Sequence, residues 1–321
     1  MSEQDNEFED LLREVDGDDR WDEENYESFP LISSLESQII MHRDVHFGGK
    51  FEFMVDYYTK EGKGVHPEFD IERIKELYQL ELDGVESLAG MLLTEVEEER
   101  IEAAKNVYEQ LRSLYEEEDS DNPLPILIAN LILTEEEEPT EEIEQIVAYQ
   151  KEAIPLLIDL LRSEDFRDPL FPGYGEAPRL AARCLGMIDD EKSIVALFES
   201  IKAQDFGEEE EVLRALFQLG ESAKQFLMKV VASRPITQDN THAAVGLAQF
   251  SADPDAASFC LKQLSDPKVL AHQELAQYMI WGCEGLESSE EKKQFAALAK
   301  WQELPSSLKE EILFVAKAQI E

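Results

Sequence analysis

Four stretches in the second half of the chain decide its reading: AARCLG (Ala181–Gly186), ALFQLG (Ala215–Gly220), AAVGLA (Ala243–Ala248) and QYMIWG (Gln277–Gly282). Each carries a large apolar residue at its fifth position (Leu185, Leu219, Leu247, Trp281), followed by Gly or Ala, at spacings of 34, 28 and 34 residues. After each of the first three comes a short turn and a second apolar helix, at Ile194–Phe198, Ala223–Leu227 and Ala256–Leu261. Two helices of this length cannot bury their apolar stripes alone. Stacking copies makes one continuous core, and Ala or Gly at the crossing lets helices approach closely.

The segment Ala153–Leu161 (AIPLLIDLL), followed by Ala177–Gly186 (APRLAARCLG), resembles a HEAT repeat, and the resemblance extends over roughly residues 140–285. It implies an all-α fold, a right-handed α-solenoid of antiparallel helix pairs. It also implies a surface offered to protein partners. The array departs from regularity at residues 163–178 (SEDFRDPLFPGYGEAP), a long Pro/Gly-rich insertion between two helices.

Upstream, the apolar spacing predicts further helices and no strand, since period-two alternation between hairpin turns is missing. Leu35, Ile39 and Ile40 begin a helix that runs into Gly48-Gly49. Phe51, Met54, Val55 and Tyr58 form the next stripe, closed by Glu61–Gly64, and Phe69-Asp70-Ile71 opens another. A helix follows from Val85, then a longer one through Ile101 and Leu114. Residues 116–123 and 135–139 read as connections, because acidic runs ending in proline cannot continue a helix. Residues 1–28 read as a disordered acidic tail in which Phe8, Leu11, Leu12 and Val15 would form one short amphipathic face. Residues 31–120 then form a helical region, and 124–321 the repeats.

The 321 residues hold 72 Asp and Glu against 29 Lys and Arg, a net charge of −43, yet 43% are hydrophobic. That apolar content supports a sizeable core, and the charge argues against binding a nucleic-acid backbone or an anionic membrane. The charge is uneven: −11 over residues 1–30, −1 over 31–66, −28 over 67–222 and −3 over 223–321. The amino-terminal stretch lacks the basic and apolar regions of a secretory signal. Leu124–Leu133 is apolar but far shorter than the roughly 20 residues a membrane span needs. Cys184, Cys260 and Cys283 are far apart and sit in apolar helical patterns, which fits core packing in a reducing cytoplasm.

Two places are candidate partner-binding sites. The near-neutral window 31–66 contains His42, Arg43, His46 and Lys50, and the insertion contains Phe166, Arg167, Phe171 and Tyr174. Aromatic and Arg side chains are frequent interface anchors, although the same aromatics could fold back over their own helices. His42 and His46 lie at i, i+4, so they share a helix face, and with His66 they could ligate a metal. HRDVH lacks, however, the Glu of the H-E-x-x-H pattern. His-Arg-Asp at 42–44 and Gly-Gly-Lys at 48–50 have none of the companions that a kinase or phosphate loop requires. His242 and His272 are expected inside repeat helices, so no Ser-His-Asp set assembles. The leading expectation is a non-enzymatic adaptor or scaffold without a cofactor, engaging a basic protein through its acidic surface. Two alternatives remain: an acidic chaperone or nucleic-acid mimic that shields a basic protein, and a metal-binding or catalytic protein built on His42, His46 and His66.

Overall fold

The computed structural model describes residues 34–84, 87–116, 122–201 and 206–319; the tail with its Phe8–Val15 face lies outside them. Among the described residues there are eighteen α-helices and no strand. The amino-terminal group comprises α1 (Ser34–His46), α2 (Phe51–Thr59), α3 (Ile71–Leu82), the short α4 (Leu88–Leu92) and α5 (Glu95–Ser113). Local chemistry sets these limits. Gly48 and Gly49 take positive φ after α1, where other residues would be strained. Asp70 accepts the Glu72 amide at the start of α3, and Thr94 with Glu97 makes a capping box on α5.

The remaining helices come in pairs, joined by short connections except for the long insertion between α8 and α9. They are α6 (Leu124–Leu133) with α7 (Thr140–Val147), α8 (Ile154–Arg162) with α9 (Ala177–Ile188), and α10 (Ile194–Ser200) with α11 (Phe206–Gln218). Then follow α12 (Gly220–Ala232) with α13 (Gln238–Ala248), α14 (Pro254–Leu264) with α16 (Gln273–Trp281) across the single turn α15 (Pro267–Leu270), and α17 (Ser289–Leu298) with α18 (Ser306–Ala318). The second members pack in an unbroken row, α7–α9–α11–α13–α16–α18, against a row made by the first members. This two-row stack is consistent with an α-solenoid. Proline in the first turn of α6, α8, α9, α14 and α15 supplies helical φ where no amide donor is needed.

One apolar core runs from Leu111 to Val315 through the whole stack, as packing of units that cannot bury their faces alone requires. Leu185, Leu219 and Leu247 are buried in it as the repeat pattern predicts, but Trp281 is 45% exposed. Met279, fully buried, occupies the equivalent place, so the last interval is 32 residues, and a two-residue slip on a helix carries a side chain to the opposite face. His272 also departs from expectation: it is the N-cap of α16 and lies outside the helix. The three cysteines are free and fully buried, and burial pushes the thiols of Cys184 and Cys260 up to about 12. No helix of the described residues is long and apolar enough to cross a membrane.

A second core joins Ile39, Ile40, Phe51, Met54, Ile74 and Leu77 of the amino-terminal group. A third, small one bridges the two bodies: Met41, Val45, Ile101 and Ala104 on one side, Leu170 and Phe171 of the insertion on the other.

Candidate functional site at the seam between the helical bodies

Helix α1 turns His42 and His46 to one face, with ring centroids 4.4 Å apart, and that face lies against the seam. The chain after α2 folds back over it. His42 Nε2 reaches the Gly64 carbonyl at 3.2 Å, and the Gly64 amide donates to the Tyr57 hydroxyl at 2.9 Å. Gly64 is obligatory there, because a Cβ would sit 2.3 Å from the ring of Tyr174.

The insertion supplies the opposite wall. His46 Nε2 reaches the Pro169 carbonyl at 3.1 Å, and Nδ1 lies 2.8 Å from the Tyr108 hydroxyl of α5. A carbonyl only accepts, so Nε2 carries the proton and Nδ1 accepts from Tyr108. The Tyr174 ring packs 4.7 Å from that of His46 and 6.2 Å from that of His42. Tyr57 donates to Glu135 at 2.6 Å, Lys63 donates to the Thr134 carbonyl at 3.0 Å, and Arg100 pairs with Asp168 at 2.5 Å. These four polar links, from His46, Tyr57, Lys63 and Arg100, stitch the amino-terminal group to α6–α9 around the apolar bridge.

Burial sets the electrostatics. It drives the His42 imidazole down to about 2, helped by the neighbouring His46, and the His46 imidazole down to about 4. Both are neutral at physiological pH. The Tyr58 phenol is pushed up to about 12, and those of Tyr108 and Tyr174 higher still, again by burial, so none forms a phenolate. Beside His42, a cleft of about 190 Å³ opens between α1, His66, Phe69 and residues 168–170. These imidazoles act as fixed hydrogen-bonding groups. Both nitrogens of His46 are engaged within the protein, and among the described residues no group of three His, Cys, Asp or Glu is placed to hold a metal ion.

Four of the eight expected contact residues thus converge: His42, His46, Phe171 and Tyr174 meet at the seam although His46 and Phe171 are 125 residues apart in the chain. Most of the eight face the protein's own chain. His42, Arg43 and Phe171 are only 3%, 4% and 7% exposed and touch the protein's own chain. Arg43 is held by Asp44 and Glu81, with its guanidinium 4.5 Å above the Phe51 ring. Arg167 donates to the carbonyls of Leu161 and Ser163 at the end of α8, and Phe166 packs on the main core. Lys50 alone of the eight is fully at the surface, beside Phe53. The physical reason is that an aromatic, Arg-bearing insertion gains as much by covering its own apolar helices as by covering a partner's.

Tyr57, Tyr58, Gly64, Tyr108, Glu135 and Pro169 belong to the site and were missing from the sequence reading. One signal was available: Tyr57 and Tyr58 are adjacent, and only Tyr58 fits the apolar stripe of α2, which leaves Tyr57 aimed elsewhere. Compared with known protein families and with curated proteins, the chain matches none.

Proposed function

We propose that the protein is a non-enzymatic adaptor or scaffold whose acidic helical surface engages a basic protein partner. In this reading the helix pairs form a right-handed, HEAT-like α-solenoid that works in the cytoplasm as a rigid display surface. One observation carries it: most of the described cations of the acidic middle region are already engaged within the chain. Arg73, Arg100, Arg162, Arg179, Arg183 and Arg214 are all paired with the protein's own carboxylates. The surplus of acids, including Glu95, Glu98, Glu99, Glu102, Glu136 and Glu137, faces solvent. Such a surface attracts basic partners within about a Debye length, roughly 8–10 Å at physiological salt, and repels nucleic acid.

The test is affinity capture with the full chain from its own cell extract, eluted by rising salt. A small, selective set of basic proteins released by salt is the expected outcome. Retention indifferent to salt would remove the electrostatic basis. Capture of many unrelated basic proteins would replace the adaptor by a shielding chaperone.

A further inference from the structure

The row α9–α11–α13–α16 carries aromatic side chains that the core does not use. Phe217 near the end of α11 is 52% exposed, with its ring 5.2 Å from that of Phe250. On α16, Trp281 is 45% exposed and stands edge-on to Tyr278 at 5.7 Å. Between them lies α13, which packs against both α11 and α16 and presents Val245, with Gln249 as its C-cap. Two hollows share Phe217 and Gln249, one reaching Glu210 and Leu213, the other Glu221 and Asp253. Adjacent helix axes lie about 8–10 Å apart, so this furrow spans about 20 Å.

Its rim is acidic. Glu209, Glu210, Glu221, Asp253 and Glu274 surround it, and the Tyr278 phenol is pushed up by burial, then by the carboxylates of Glu274 and Glu209. Glu209 of α11 therefore acts across α13 on a side chain of α16. The two cations in the furrow are engaged: Arg214 pairs with Glu210 at 2.9 Å and Glu211 at 3.0 Å, and the buried Lys224 with Glu221 at 2.7 Å and Asp253 at 2.8 Å.

Charge decides the occupant. The chain's own residues 1–30 carry −11 and a second copy carries −43, so both are repelled by this rim. We propose that the furrow over α11, α13 and α16 docks a short cationic segment of a partner protein. In it, a few apolar side chains, flanked by Lys or Arg, meet Phe217, Tyr278 and Trp281, and the flanking cations meet Glu209, Glu210 and Glu274. The aromatic contacts supply the desolvated centre of the interface, and the carboxylates supply orientation and on-rate. The inference rests on the adaptor reading and names the partner's chemistry.

The test selects short peptides of random sequence on the full chain and measures their affinity for the wild type, for the double variant Phe217→Ala/Trp281→Ala and for Phe53→Ala. Phe53 is an equally exposed aromatic on α2, in the amino-terminal group and on none of the three furrow helices. Selected sequences should combine Lys or Arg with apolar residues, weaken by about tenfold or more in the double variant and keep their affinity in Phe53→Ala. Matching thermal melts for all three proteins would show that the fold is unchanged. Selection of acidic or uncharged sequences, or equal affinity for wild type and double variant, would overturn the docking site. Salt-sensitive capture of basic proteins by that same double variant would show that the site alone had failed. Loss of all capture by wild type would remove the adaptor reading as well.

Discussion

Replacing Phe171 with Ala tests the seam at its apolar centre. The ring is 7% exposed and is one of six buried side chains that bridge the amino-terminal helices to the solenoid. Truncating a buried Phe to Ala costs about 3–5 kcal/mol where the site cannot collapse, and a bridge this small has little material with which to refill the space. That loss falls on the insertion first, since the bridge is where its turns are anchored to the amino-terminal helices. The Phe171 amide donates to Asp168 at 2.9 Å, Tyr174 to Phe171 at 3.1 Å and Glu176 to Gly173 at 3.0 Å. At a factor of ten per 1.4 kcal/mol, exchange of these amides through local opening should accelerate by roughly a hundred- to several-thousand-fold. Hydrogen exchange read by mass spectrometry resolves this segment from α13, α16 and α18, whose rates should stay within about threefold of wild type. Equal acceleration along the whole chain would mean that the seam and the solenoid open as one unit. No acceleration would mean that Phe171 holds nothing, and either result refutes the reasoning.

Other perturbations probe the packing and the charges. Gly186→Ala would place a Cβ 2.8 Å from the Ala215 Cα at the crossing of α9 and α11. Overpacking of about 1–3 kcal/mol should outweigh the roughly 1 kcal/mol gained in helix propensity, so denaturant unfolding should show a net loss, while Gly246→Ala, which meets only side-chain methyls, those of Leu227 at 3.2 Å and of Ile201 at 3.7 Å, should be close to neutral. Asn240→Ala removes a fully buried amide that donates to the carbonyls of Val230, Val231 and Ser233 and accepts the Thr237 amide. Urea unfolding should register a loss of about 2–3 kcal/mol. His42 and His46 titrate near 6.5 when unfolded but near about 2 and about 4 when folded, so their contribution is intact above pH 6.5 and is lost as pH falls toward 4, and for His42 further toward 2. Each should add a slope that rises from about 0.7 kcal/mol per pH unit at pH 6.5 toward about 1.4 near pH 5, and His46→Gln should flatten the unfolding free energy against pH by one such share.

Much of the architecture was legible because helices are local. The stripe Leu35–Ile39–Ile40 ending at Gly48-Gly49, the stripe Phe51–Tyr58, and the Asp70 start of α3 fall where apolar spacing, caps and breakers place them. So do the connections at 135–139 and the alternation of paired helices from Ala153 onward. The failures share one cause. Trp281 matched the repeat by letter, yet the buried position belongs to Met279, because burial follows the angle at which a helix meets its neighbours.

The sequence by itself determined an all-α fold, most of its element boundaries, its alternation of helix pairs and the uneven distribution of its acidity, all of which are properties of neighbouring residues. Only the tertiary structure decided that residues 163–178 close over α1, that His42 and His46 are neutral and turned into the seam, and that Phe217 and Trp281 are among the aromatics left exposed. Those outcomes depend on which apolar face meets which across more than a hundred residues. The hydrophobic effect drives such pairing without direction, so an aromatic–arginine segment reads the same whether it covers its own helices or awaits a partner's.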